Sequence, residues 1–168
     1  MNPFRDRRLH EVRKMLGSSE VLDIGAGSYP IGTLKVDVQR SKRPDVCASV
    51  LYLPLRDSSF EKGVCLEMIE HLHMQEQAIA LSEIKRVVRG KVVVSIPNSS
   101  PFMVLPQQIV WWMREMTTQR EYHRNEMTHT HIGLISPKEL IRLMQKCGFK
   151  VTKAKRLMLY DYMVVAEA

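Results

Sequence analysis

Residues 21–30 read VLDIGAGSYP. Val21, Leu22 and Ile24 surround Asp23, and Gly25 and Gly27 follow at alternate positions. The apolar run predicts a short buried strand over residues 20–24. Gly25 and Gly27 mark a place where the chain turns sharply or a ligand approaches the backbone. In open α/β sheets, ligands bind beyond the carboxyl ends of the strands, where strand order reverses. Asp23 at such an end could hold a polar ligand. Taken alone, the stretch reads equally well as a strand followed by a glycine turn, because isolated glycine patterns are common.

The flanking sequence supplies the context. Upstream, Asn2 and Pro3 suit the cap and first position of a helix running to Leu16, with Leu9, Val12 and Leu16 as its apolar stripe and Gly17 as its stop. Downstream, Leu34–Val38 reads as a second strand containing Asp37, and residues 46–51 as a third. LPLRDSSF reads as a loop, and Lys62–Leu66 as a fourth strand. Residues 74–89 place Ala78, Leu81, Ile84, Val87 and Val88 at helical spacing, with Gly90 as the stop. KVVVSI (91–96) is a continuous apolar run, as in a buried central strand, and Pro97-Asn98 ends it. Ser136-Pro137-Lys138-Glu139 combines a cap, a first-position proline and a capping-box glutamate. That helix turns Leu140, Ile141, Leu143 and Met144 inward and stops at Gly148. Strands near Phe149–Ala154 and Leu157–Ala166 follow closely enough to pair antiparallel. The alternation predicts a doubly wound α/β fold: a mostly parallel sheet with an antiparallel C-terminal pair and helices on both faces. Residues 99–131 are long for a strand-to-helix connection and carry Trp111, Trp112 and several methionines. They are expected to form a lid or substrate-binding insert within one domain spanning 1–168.

Composition narrows the function classes. A chain of 168 residues with 45% hydrophobic content suits one globular domain. No apolar run approaches the roughly 20 residues of a membrane span. MNPFRDRRLHEV lacks the apolar stretch of a signal peptide. Cys47, Cys65 and Cys147 form no CxxC pair, which points away from a zinc knuckle or disulfide framework. A reducing cytoplasm is the expected location. The net charge of +7 permits attraction to nucleic acid without demanding it, since the basic residues are spread out.

In order along the chain stand VLDIGAG, Asp37 in the second strand, LPLRDSSFEKGV, LEMIEHL, EIKRVVRGKVVVSIPN and HIGLISPKELIRLMQKCGF. This series resembles the class I S-adenosylmethionine-dependent methyltransferases, in particular the ubiquinone-biosynthesis O-methyltransferase branch, over residues 18–155. The resemblance implies a Rossmann-like, seven-stranded sheet and S-adenosyl-L-methionine as cofactor. It implies that Gly25, Ala26 and Gly27 pack against the methionine part, with Asp23 supporting the amino group through water or the loop backbone. Asp37 would accept the ribose hydroxyls, Leu51 and Leu53 would flank the adenine, and Glu67 would face the methionine end. The chain departs from the family's pattern at several points. GAGSYPIGTLKVD leaves room only for a turn where a helix is usual. Ser49 stands where an acid often contacts adenine, Glu61 follows the phenylalanine of DSSF, and Arg89-Gly90 replaces a longer proline-glycine stretch.

Methyl transfer chiefly requires an acceptor aligned with the sulfonium methyl, and a base helps where the acceptor must lose a proton. If residues 67–71 begin a helix, Glu67, Glu70 and His71 share one face. The Glu-x-x-Glu-His phrase resembles the metal-binding phrase of the ubiquinone O-methyltransferases and of small-RNA 2′-O-methyltransferases. That resemblance makes Glu67, Glu70, His71, His129 and His131 candidate ligands for a divalent cation such as Mg2+, and Glu70, His71 and His131 candidate catalytic residues. Without a metal, the Glu-His pair would orient the loop and cap the next helix. The expected reaction is methylation of an O or N acceptor, with a small molecule favoured over RNA because no RNA-binding module is appended. The alternatives are RNA methylation and a non-catalytic scaffold with a degenerate cofactor site. A dinucleotide oxidoreductase is disfavoured, since residue 30 is Pro where a third glycine belongs.

Overall fold

The run around Asp23 becomes strand β1, Leu22–Ile24, and all three residues are buried. It belongs to a computed structural model that describes residues 3–17, 20–97, 133–157 and 161–168. Helix α1 (Pro3–Leu16) precedes it, and Gly17, with φ +70, closes the helix by donating to Arg13 O at 2.8 Å. Strands β2 (Leu34–Asp37), β3 (Val46–Cys47) and β4 (Phe60–Leu66) follow, then α2 (Met74–Val87), β5 (Val88–Pro97), α3 (Pro137–Lys146), β6 (Lys150–Leu157) and β7 (Asp161–Glu167). The seven strands form one sheet in the order β3-β2-β1-β4-β5-β7-β6. The pairs from β3 through β5 are parallel, and β7 runs antiparallel to both β5 and β6.

The apolar run of β5 is continuous because both of its faces are covered. Val92, Val94 and Ile96 face the larger core with Leu81 and Ile84 of α2 and Leu140 and Met144 of α3. Val93 faces the other side, with Val12 and Leu16 of α1 and Met163 and Val165 of β7. Period-2 alternation therefore sorts one strand between two cores. The capping box of α3 forms as the sequence predicts: Ser136 Oγ accepts from Glu139 N at 3.3 Å, and Glu139 accepts from Ser136 N at 2.9 Å.

Three local expectations change. The predicted third strand over 46–51 shortens to Val46–Cys47. Helix α2 ends at Val87, and Gly90 lies inside β5 rather than stopping a helix. Pairing runs Phe60↔Val88 and then Lys62↔Lys91, so β5 carries an extra residue as a bulge. A Cβ on Gly90 would stand 2.4 Å from Glu61 O, which explains the glycine. Leu157 ends β6 instead of beginning β7. The connection from β1 to β2 holds no helix, in line with its short spacing. The proposed insert at 99–131, with Trp111 and Trp112, lies outside the described residues.

Candidate active site

The chain runs β1-β2-β3 toward one edge of the sheet, then crosses to place β4 on the other side of β1. Strand order therefore reverses between β1 and β4, and a crevice at their carboxyl ends is the expected ligand site. Four segments meet that edge: the glycine turn after β1, Asp37 at the end of β2, Glu67 after β4 and Ser95 near the end of β5.

The glycine turn is held by its acids. Asp23 is 4% exposed, and its Oδ2 accepts from Ile31 N at 2.6 Å and Gly32 N at 3.0 Å. Burial raises its pKa, and the two amide donors oppose that rise. Of the two routes foreseen for Asp23, the described contacts are those to the loop backbone. A Cβ on Gly32 would lie 2.6 Å from Asp23 Cβ and from Val21 O, so the returning loop fits only with glycine there. The sequence reading had given Gly32 no role.

Asp37 bridges the turn to β2. Its Oδ2 accepts from Gly27 N at 2.8 Å and its Oδ1 from Gln39 N at 2.8 Å. Each oxygen keeps acceptor capacity, because a carboxylate oxygen offers two lone pairs. The two glycines of the turn differ. A Cβ on Gly25 would meet Met68 Cγ at 2.4 Å, so its close neighbour is a side chain of this protein. A Cβ on Gly27 would meet Gly25 O at 3.9 Å, an ordinary van der Waals contact, so among the described residues nothing crowds that position. Ala26 is buried, and its N–H donates to Val36 O at 3.2 Å. The residue after Asp37, Val38, is an exposed apolar side chain that the sequence reading did not single out.

Beyond β3, Ser49 is exposed and its hydroxyl accepts from Leu51 N at 3.2 Å. Leu53 lies in the core at 2% exposure, while Leu51 packs at the edge of that core. Arg86 of α2 fixes this loop by donating to Leu53 O and Leu55 O, each at 2.9 Å, and to Asp57 at 2.6 Å.

The segment after β4 departs from the helical reading. Glu67 has φ +51, and Ile69–His71 forms a single 3-10 turn before α2 begins at Met74. The left-handed residue breaks the i, i+3, i+4 stacking that would align Glu67, Glu70 and His71 on a helix face. Among the described residues, no group of three or more His, Cys, Asp or Glu could hold a metal ion. His129 and His131 lie outside the described residues. His71 is half-buried, and its backbone N–H donates to Met68 O at 3.0 Å. Helix α2 is preceded by His73, whose N–H donates to Glu76 at 3.0 Å. His10 and His73 are exposed.

Glu67 and Glu70 instead join residues that only the fold assembles. Glu67 accepts from Ser95 Oγ at 2.8 Å and lies 3.5 Å from Arg8 of α1. Arg8 also lies 3.6 Å from Asp161 at the start of β7. Burial, then the neighbouring Asp161, pushes the Glu67 carboxyl up to about 7. Glu70 is 1% exposed, and neither of its oxygens has a hydrogen-bond partner among the described residues. Burial and then Glu67 push it up to about 8. No sequence motif pointed to Arg8, Ser95 or Asp161. The available signals were an arginine-rich first helix and an acid opening the last strand, and neither is specific. The turn is tied to the later chain, since Gly133 N donates to Glu70 O at 3.0 Å and Gln77 Nε2 donates to Gly133 O at 2.7 Å.

A family model described as a methyltransferase domain matches residues 22–96, the span from β1 to β5 that carries the glycine turn, Asp37 and Glu67. The chain is 29% identical to the uncharacterized protein MJ0638 of Methanocaldococcus jannaschii, covering 46% of this chain and 40% of that protein. The chain thus spans less than half the length of that relative. A Thermotoga maritima structure described as a SAM-dependent methyltransferase, possible histamine N-methyltransferase, superposes with TM-score 0.67 at 17% identity, covering 98% of this chain and 89% of that one. The Burkholderia thailandensis 1,6-didemethyltoxoflavin-N1-methyltransferase, solved with its substrate and S-adenosylhomocysteine, gives TM-score 0.65 at 15% identity, with 98% and 77% covered. The fold is the Rossmann-like methyltransferase fold. Residues 22–96 are similar to a methyltransferase domain, and the fold is shared with structures described as SAM-dependent methyltransferases.

Proposed function

We propose that this chain transfers a methyl group from S-adenosyl-L-methionine to an O or N atom of a small-molecule acceptor. The observation that carries the reading is the Asp37–Gly27 bridge at an uncrowded glycine, at the point where strand order reverses. The residues present fit the cofactor. Asp37 has lone pairs for a ribose diol, Gly27 leaves room for close approach, and exposed Val38 with Leu51 offers apolar surface for a base. Gly25, Ala26 and Asp23 shape the turn on which the methionine part would rest.

When bound, S-adenosylmethionine supplies a methyl group made electrophilic by the sulfonium. This chain's part is alignment at near-attack distance, exclusion of water and removal of a proton where the acceptor carries one. In this reading Glu67 faces the methionine end, and Glu70 and His71, on the turn that Gly133 and Gln77 pin, act on the acceptor. His131, two residues before Gly133, is the proposed third member of that group. The relative solved with a small substrate and S-adenosylhomocysteine supports a small acceptor. Exposed Lys150, Lys153 and Arg156 lie on edge strand β6, where charge protects a free edge, so RNA is the weaker reading. Among the described residues no helix is long and apolar enough to cross a membrane, and all three cysteines are free, which suits a reducing cytoplasm.

Calorimetric titration with S-adenosylmethionine and S-adenosylhomocysteine tests the reading. Wild-type protein should bind both, and Asp37→Ala should weaken binding at least about tenfold, the loss of charge-assisted bonds to a diol. No detectable wild-type binding would sink the transferase reading.

A further inference from the structure

Glu70 is a carboxyl whose burial the fold does not explain. It is 1% exposed, and among the described residues both oxygens lack a geometric hydrogen-bond partner, with Glu70's own backbone N–H giving only a weak opposing pull. Leaving a buried polar group unmet costs about 1–3 kcal/mol, and an apolar side chain of similar size would avoid that cost. A group kept in this state needs a reason outside the fold. Its electrostatic neighbours are Glu67, Asp161 and Arg8. Glu67 and Asp161 reach the surface with 23% and 17% of their side-chain area, and each lies beside Arg8, at 3.5 and 3.6 Å. One guanidinium therefore lies within 4 Å of two carboxyls, with Glu70 buried farther from it. Among the described residues Arg8 Nε is itself buried without a partner, so Arg8 is not fully engaged by the acids. The cluster stands at the carboxyl ends of β4 and β5, where Ser95 and Pro97 place Glu67 and Asp161 side by side through sheet pairing.

We propose that this cluster receives an organic cation, the protonated amino group of the methyl acceptor, with Glu70 as its innermost ligand. The inference rests on the transferase reading above and deepens it by assigning the acceptor class. The added positive charge offsets the excess of carboxyls, and the ammonium hydrogens supply the donors that Glu70 lacks. Before transfer, the ammonium gives one proton to a carboxylate of the cluster, from which it passes to solvent. The freed nitrogen lone pair then forms the N–C bond as the C–S bond breaks, and the C–S electron pair stays on sulfur.

The test uses the full chain and matched pairs: benzylamine with benzyl alcohol, phenethylamine with phenethyl alcohol, and tryptamine with tryptophol. Methyl transfer from labelled S-adenosylmethionine is measured at pH 8. Amines should be methylated and their alcohols should not. Glu70→Gln should lower kcat/KM for the best amine at least about tenfold, mainly through KM, and Asp161→Asn should act in the same direction. S-adenosylhomocysteine and S-adenosylmethionine affinities should stay within about twofold, because the cation being read is the acceptor's. Methylation of the alcohols alone, an unchanged KM in both variants, or no methylated amine while S-adenosylhomocysteine binds would each overturn the proposal. Loss of S-adenosylmethionine affinity in Glu70→Gln would overturn it too, by assigning the cluster to the cofactor's sulfonium. Absence of S-adenosylhomocysteine binding to wild-type protein marks instead the failure of the transferase reading itself.

Discussion

Two groups of acids stand at the same edge of the sheet, and the protein treats them in opposite ways. Asp23 and Asp37, at the ends of β1 and β2, together accept four backbone N–H bonds, from Ile31, Gly32, Gly27 and Gln39. Near the ends of β4 and β7, Glu67 and Asp161 share Arg8 at 3.5–3.6 Å and Glu67 accepts from one serine hydroxyl, while Glu70 is buried beside them with neither contact. The first group is satisfied by the chain and therefore sets the chain's shape. The second is under-satisfied, so burial pushes Glu67 to about 7 and Glu70 to about 8. Satisfied acids build a site, whereas unsatisfied ones leave capacity for what enters it.

The sharpest way to break this contrast is at Gly32. Gly32→Ala would press a Cβ to 2.6 Å from Val21 O and Asp23 Cβ, so the loop must shift and both Asp23 bonds must loosen. We expect a loss of about 3 kcal/mol in urea unfolding, together with weakened S-adenosylhomocysteine binding. A variant as stable as wild type would mean that Asp23 does not shape the turn.

Glu70 should respond in the opposite direction. Its ordinary pKa is 4.5 and its folded value is about 8. Between these pH values the folded state holds a proton that the unfolded state has released, so stability falls as pH rises through that window. Above pH 8 the folded protein bears the full penalty of a buried charge. Glu70→Gln removes that penalty and should stabilise the protein by roughly 2 kcal/mol at pH 9, with little change at pH 5. Unfolding curves at the two pH values decide it. A wild-type stability that stays flat from pH 5 to pH 9 would show that Glu70 is not held protonated.

The smallest expected effect is at Arg8. Arg8→Gln removes the cation shared by Glu67 and Asp161 and should cost about 1 kcal/mol at pH 8. The loss should shrink toward pH 5, where Glu67, pushed up to about 7, is neutral. A loss of equal size at both pH values would assign Arg8 to packing rather than charge.

Legibility followed the range of the interactions. The first helix, its glycine stop, the capping box at Ser136 and the buried strand 91–96 could all be read locally, since caps and periodicity act within a few residues. Gly90 was misread because its partner, Glu61, lies across a β-bulge. Glu67, Glu70 and His71 were identified as candidates, but their mutual geometry was not, because no local rule puts a glutamate at φ +51. Arg8, Ser95 and Asp161 escaped notice because sheet pairing and helix packing bring them to Glu67 from distant parts of the chain.

The sequence alone determined the α/β alternation, the antiparallel C-terminal pair and the position of the glycine turn with its two aspartates. These rest on hydrophobic period, turn chemistry and chain order, which are local properties. The tertiary structure alone decided which acids are satisfied and which are not. Satisfaction depends on whose N–H or guanidinium arrives within about 3 Å, and only packing sets that distance.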